Sequence, residues 1–131
     1  MIAGLGTRVH LFVRPEYRER FTALFRDVLG CDARELDFGM SHPILLVSFG
    51  DDTAFSVEFS DAAPQEPAIV EDAHVFRGAW IEFRTDDVAG VQQKLRDAGV
   101  PSFSHPPSPH TYFSAPGAQV FRIIELNYRG P

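Results

Sequence analysis

The sequence predicts an α+β fold made of two tandem βαβββ modules, whose strands form one cupped mixed sheet with the helices on its outer face. Three observations predict it. Short runs of alternating apolar and polar residues are separated by turn residues, two segments carry helical periodicity, and the order strand, helix, three strands occurs twice. The division is a first module over 7–60, a linker over 61–77 and a second module over 78–128, all within a single domain of residues 1–131. A chain of 131 residues with 44% hydrophobic and 12% aromatic content has enough apolar material for one core and too little for two comfortable ones.

Arg8 to Val13 reads as the first strand. Pro15 suits the first turn of a helix, because its missing N–H would be unpaired there anyway, and Phe21, Leu24, Phe25 and Val28 then fall on one helical face that Gly30 terminates. Extended runs follow at about Ala33 to Phe38, Ile44 to Phe49 and Thr53 to Phe59, with His42-Pro43 and Gly50-Asp51-Asp52 as the turns between them. The stretch from Asp61 to Asp72, with Pro64, Pro67 and several acids, has no periodicity and reads as the crossing between modules.

The pattern then restarts. Ala79 to Arg84 is a strand, and Thr85-Asp86-Asp87 supplies capping chemistry for a helix with Val88, Val91, Leu95 and Ala98 on one face, ended at Gly99. Strands at about Ser102, Thr111 to Ser114 and Gln119 to Tyr128 complete the module. An offset of 70 carries Leu11 to Ile81, Arg14 to Arg84 and Asp27 to Asp97, whereas at the far end an offset of 67 carries Gly50 to Gly117 and Glu58 to Glu125.

Side chains alternate across a strand, so Leu11 and Val13 point under the helix while His10, Phe12 and Arg14 point away from it. The same count puts Trp80, Glu82 and Arg84 on one face, and Glu58 on the face away from the helix, with its repeat mate Glu125 expected to follow. Curling of the two half-sheets towards each other would bring His10, Glu58, Trp80, Glu82 and Glu125 to a concave surface suited to a small molecule.

His10, followed by Arg26-Asp27-Val28-Leu29-Gly30, then Ser56-Val57-Glu58-Phe59 and Ile123-Ile124-Glu125-Leu126, resembles the vicinal oxygen chelate superfamily of glyoxalases, bleomycin-resistance proteins and dioxygenases. The resemblance implies the cupped sheet and a homodimer, which would also cover exposed sheet edges. In metal-dependent members the corresponding ligand positions are His10, Glu58, Trp80 and Glu125, with divalent Fe, Mn, Ni, Zn or Mg as the ions. Trp80 departs from that pattern, since an indole has only an N–H donor and ligates no metal. Glu82, two residues along the same face, is the candidate substitute, and one imidazole with three carboxylates is a hard set suited to Mg, Mn or ferrous iron.

Two functions follow from the resemblance. The preferred one is a binding protein of the bleomycin-resistance kind, with no complete metal site, holding an aromatic or amphipathic small molecule with Phe12, Trp80, Glu82 and Arg84. The alternative is a divalent-metal-dependent lyase, isomerase or dioxygenase, in which Glu125 or Glu58 moves a proton. Simpler readings stand beside both. A lone strand histidine is more often a hydrogen-bonded residue than a ligand, Glu58 and Glu125 could pair with Arg14, Arg84 or Arg122, and Trp80 could be ordinary core.

The remaining features carry less. A formal charge of −6 argues against a nucleic-acid partner, which needs a basic patch. No apolar run reaches membrane-spanning length, and Arg8, His10 and Arg14 interrupt anything like a signal peptide, so a cytoplasmic protein with no membrane partner is expected. Cys31 is the lone cysteine and allows no internal disulfide. His105 and His110 are separated by three prolines in no compact ligand spacing and read as a rigid loop, while His42 and His74 fall in expected turns.

Overall fold

The computed structural model describes residues 1–67 and 77–131. The chain divides into two compact units, Met1–Pro64 and Gln65–Pro131. Part of the expected linker, with His74 in it, lies outside the described residues.

In the first unit β1 (Arg8–Val13) leads through a 3-10 turn (Pro15–Tyr17) into α1 (Arg18–Ala23). Proline's fixed φ starts the turn as expected. The helix does not stay regular to its end: Leu24–Val28 widens into a π turn, in which the Leu29 N–H reaches the Leu24 carbonyl at 2.9 Å. Gly30 then adopts φ +70°, and the Cys31 N–H closes back on the Phe25 carbonyl at 2.8 Å, a Schellman-type ending that requires a residue free to go left-handed.

Three strands follow, β2 (Asp32–Leu36), β3 (Ile44–Ser48) and β4 (Ala54–Phe59). The sheet order is β1-β4-β3-β2, with β1 parallel to β4 and the other pairs antiparallel. Alternation decides the two faces. Leu11, Val13, Phe55, Val57 and Phe59 are buried beneath the helical segment, where Phe21 and Phe25 meet the Phe55 ring at 6.2 and 5.0 Å. His10, Phe12, Ser56 and Glu58 occupy the opposite face.

The second unit repeats this topology with β5 (Trp80–Thr85), α2 (Val88–Asp97), β6 (Ser102–Ser104), β7 (Thr111–Ser114) and β8 (Val120–Glu125), in the order β5-β8-β7-β6. Asp87 caps α2 by accepting the Gly90 N–H at 2.9 Å, the role expected of the Thr85-Asp86-Asp87 run. The helix lies on the side of Phe83, Phe113 and Phe121, since Gln92 Nε2 donates to Thr111 Oγ1 at 2.7 Å from above that face. Phe113 and Phe121 stack at 5.2 Å within this core.

One expectation is corrected by the register. His10 pairs with Ser56, 46 residues on, whereas Glu82 pairs with Arg122, 40 residues on. The second module is therefore six residues shorter between its paired strands, not the three that the 70 and 67 offsets imply. Three is odd, and an odd slip turns every side chain to the other face. Glu125 accordingly pairs with Thr85, on the parity of Phe83 and Ile123, and is exposed at the end of β8 rather than aligned with Trp80 and Glu82. β8 also stops at Glu125 instead of running to Tyr128, because the chain turns there and the Tyr128 N–H returns to the Glu125 carbonyl at 3.1 Å.

Both helical segments should show their weight in mutants. Phe25→Ala, which empties a fully buried site against Phe21 and Phe55, is expected to cost about 3–5 kcal/mol. Asp87→Ala, losing only the cap, is expected to cost about 1 kcal/mol. Urea denaturation of both variants measures the contrast.

Candidate functional site

On the open face of the first unit, β1 and β4 place His10 between two oxygen-bearing side chains. Its Nδ1 lies 2.6 Å from Ser56 Oγ and its Nε2 lies 3.1 Å from Glu58 Oε1. Because β1 and β4 are parallel and in register, Ser56 stands directly beside His10 and Glu58 one step along. Phe12 meets the imidazole edge-on at 5.0 Å and is more than half exposed. Imidazole and carboxylate are therefore held side by side, with the hydroxyl on the other ring nitrogen. Arg14, last in this row, is occupied elsewhere: Glu16 accepts from its Nε at 2.5 Å and the Asp61 carbonyl from its Nη1 at 2.6 Å. The Glu16 hydrogen bond raises its pKa against the opposing effect of desolvation.

The face of the second sheet that carries Trp80 and Glu82 is built around Arg122, with Tyr112 and Val120 buried beside it. Its register neighbours are Glu82 on β5 and Tyr112 on β7. Arg122 is 4% exposed, and its guanidinium donates from Nη2 to Glu82 Oε2 at 2.6 Å and lies over the Trp80 ring with its carbon 4.1 Å from the ring centroid. Tyr128 lies on the same cation at 5.8 Å. Burial alone would lower the Arg122 pKa, but hydrogen bonds to Glu82 and Tyr112 outweigh it and hold the pKa above its ordinary value. A permanently charged guanidinium thus sits inside an aromatic surround, and Trp80 keeps 38% of its surface exposed.

Neither a family model nor a curated protein sequence matches this chain. Solved structures do. An antibiotic-binding protein from Streptomyces sp. CB03234 is 19% identical, with 95% of this chain and 98% of that one covered at a TM-score of 0.65. The fosfomycin resistance protein FosX of Listeria monocytogenes is 14% identical over 94% of this chain and 91% of its own, also at 0.65. A glyoxalase/bleomycin resistance protein from the same Streptomyces is 20% identical over 88% and 97%, at 0.58. This chain has the vicinal oxygen chelate fold.

Within the vicinal oxygen chelate fold, the four positions that the resemblance assigns to a metal do not carry a fitting set here. His10 and Glu58 are both present, each hydrogen-bonded to the other. Trp80 offers no lone pair. Glu82, the candidate substitute, is held by Arg122 at 2.6 Å, and a cation so close competes directly with any metal for that carboxylate. Glu125 faces the helix side of its sheet. Among the described residues no group of three or more His, Cys, Asp or Glu side chains is gathered for an ion.

Of the ligand-binding candidates, Phe12 and Trp80 are the exposed aromatics of the two open faces. Glu82 and Arg84 share the face of Trp80, with Arg84 Nη1 reaching the Leu126 carbonyl at 3.4 Å. Sequence reasoning named Arg122 only as a partner for Glu58 or Glu125, and passed over Tyr112 and Ser56 as site residues. The signal for Arg122 was its isolation: it is the only charge between Val120 and Ile124, an apolar run in which a cation needs a dedicated partner. His105 and His110 border this region through ring contacts with Tyr112 at 5.8 Å and Tyr128 at 4.5 Å.

Removing the partner of a buried cation exposes its cost. Glu82→Ala is expected to destabilise the protein by about 1–3 kcal/mol, the value of a hydrogen bond to a charged group discounted for the half-exposed carboxylate. Glu58→Ala, whose partner His10 can be satisfied by water, is expected to cost under about 1 kcal/mol. Thermal unfolding of the two variants distinguishes them.

Proposed function

We propose that this protein binds and holds a small aromatic or amphipathic molecule, in the manner its fold relatives with antibiotic-binding and resistance names suggest, and that it does so without a complete metal site. The observation that carries this reading is the Arg122–Trp80 stack. At the position where the resemblance expects a metal ligand stands an indole, backed by a buried cation at 4.1 Å and left exposed on its remaining surface. Such a rigid, partly wet aromatic surface suits a flat ligand better than it suits an ion. Glu82 and Arg84, on the face of Trp80, supply the polar contacts that orient the ligand.

A second reading is favoured by one specific observation, the His10–Glu58 pair with Ser56 on the other imidazole nitrogen. Imidazole and carboxylate side by side could move a proton on a bound substrate, which keeps a lyase, isomerase or dioxygenase of the same superfamily in view, with Glu58 rather than Glu125 as the proton acceptor. Metal analysis of protein purified without a histidine tag separates the two. Less than about 0.1 equivalent of any divalent ion is expected, and a full equivalent of tightly held metal would favour the enzyme.

No helix among the described residues is long and apolar enough to cross a membrane. We place the protein in the cytoplasm as a homodimer, with both modules working as one domain, and sedimentation at micromolar concentration is expected to give twice the monomer mass of 14.6 kDa.

Trp80 is the chain's single tryptophan, so its fluorescence reports the site directly. The neutral flat dye prodan is expected to bind saturably, quench Trp80 emission, and lose about tenfold or more in affinity in Trp80→Ala. Binding that survives Trp80→Ala unchanged would place the ligand elsewhere.

A further inference from the structure

The indole of Trp80 is not an ordinary stacking surface, because one of its two faces is already taken by a full positive charge. Arg122 lies over the ring at 4.1 Å, while the indole keeps 38% of its surface exposed. An aromatic face attracts cations through the negative lobe of its quadrupole. A cation fixed on one face draws the π density towards itself, which leaves the other face less negative, and its own field repels a second cation through the ring. Electron-rich and anionic rings meet the reverse conditions.

The charge cannot be switched off. The guanidinium donates to Glu82 at 2.6 Å and stays protonated despite its burial. Glu82 neutralises the pair in formal count, but unequally in space: the guanidinium is buried against the indole, whereas the carboxylate side chain is 41% exposed and screened by water. The nearer and less screened charge sets the sign of the field at the ring.

Resting on the flat-ligand reading above, we propose that Arg122 makes the exposed surface of Trp80 selective for electron-rich, anionic aromatic ligands, such as phenolates, aryl carboxylates and aryl sulfonates, over cationic ones of the same size. Arg122 acts here as a specificity-determining residue that need not touch the ligand. Its partner Glu82 is a positioning residue for the guanidinium.

The test is calorimetric titration of the intact protein with two flat probes of matched size and opposite charge, naphthalene-2-sulfonate and N-methylquinolinium. The wild type is expected to bind the sulfonate about tenfold or more tightly than the quinolinium. Arg122→Gln should bring that ratio towards one by weakening the sulfonate and strengthening the quinolinium. Arg122 is buried, so this variant is paired with Glu82→Gln, which keeps the cation, removes only the half-exposed negative charge, and is expected to raise the ratio. Equal affinities or a quinolinium preference in the wild type overturn the proposal, as does a ratio that falls in Glu82→Gln. Failure of prodan and of both charged probes to bind overturns the flat-ligand reading itself, whereas prodan binding with no charge preference overturns only this inference.

Discussion

Parallel pairing of the first and last strands of each module is the constraint from which the open faces are derived. β1 with β4, and β5 with β8, lie side by side and in step, so the residue beside a given side chain is dictated by register alone. A strand turns alternate side chains to opposite faces, and once the helix has claimed one parity the other is committed to the open face. In the first unit this brings Ser56 and Glu58 to His10. In the second it brings Arg122 to Glu82 and Trp80. The same backbone arrangement thus carries an imidazole–carboxylate pair in one half and a cation–aromatic stack in the other.

That difference has energetic content. The pair on the first unit is half exposed on both sides, so its strength is modest and either partner can turn to water or to a ligand. Arg122 has no such freedom, being buried, and its neighbours are a carboxylate for charge, Trp80 and Tyr128 for the flat faces, and Tyr112 beside it in register. Burying a charge is expensive unless it is paired and hydrogen-bonded; Glu82 supplies the pairing, while the Arg122 Nε is buried without a hydrogen-bond partner among the described residues.

The solved structures that resemble this chain have an antibiotic-binding protein, a fosfomycin resistance protein and a glyoxalase/bleomycin resistance protein among them. At identities of 14–20% their likeness speaks to the fold, and one fold carries binding and catalysis alike. What separates the possibilities in this chain is local chemistry. An indole stands where the resemblance calls for a ligand, and the carboxylate that could replace it is engaged by an arginine.

Most of the architecture was legible in the amino-acid order. Apolar alternation located the strands, Pro15, Asp87 and Gly30 marked helix ends through backbone chemistry that is local by nature, and the doubled strand–helix–strand pattern announced two modules. His10 and Glu58 were assigned to one face correctly because both lie in strands whose parity the buried residues on either side define. Glu125 was not, because its face depends on the length of the loops between strands, and the apparent repeat hid a six-residue shortening behind a three-residue one. The role of Arg122 was equally out of reach, since every residue from Val120 to Ile124 is buried and such a run has no polar alternation to betray its facing. Local propensity and periodicity reside in neighbouring residues, so the sequence by itself determined the elements. The register of β1 on β4 and of β5 on β8 couples residues 46 and 40 positions apart, and only the paired strands decided which side chains share a face.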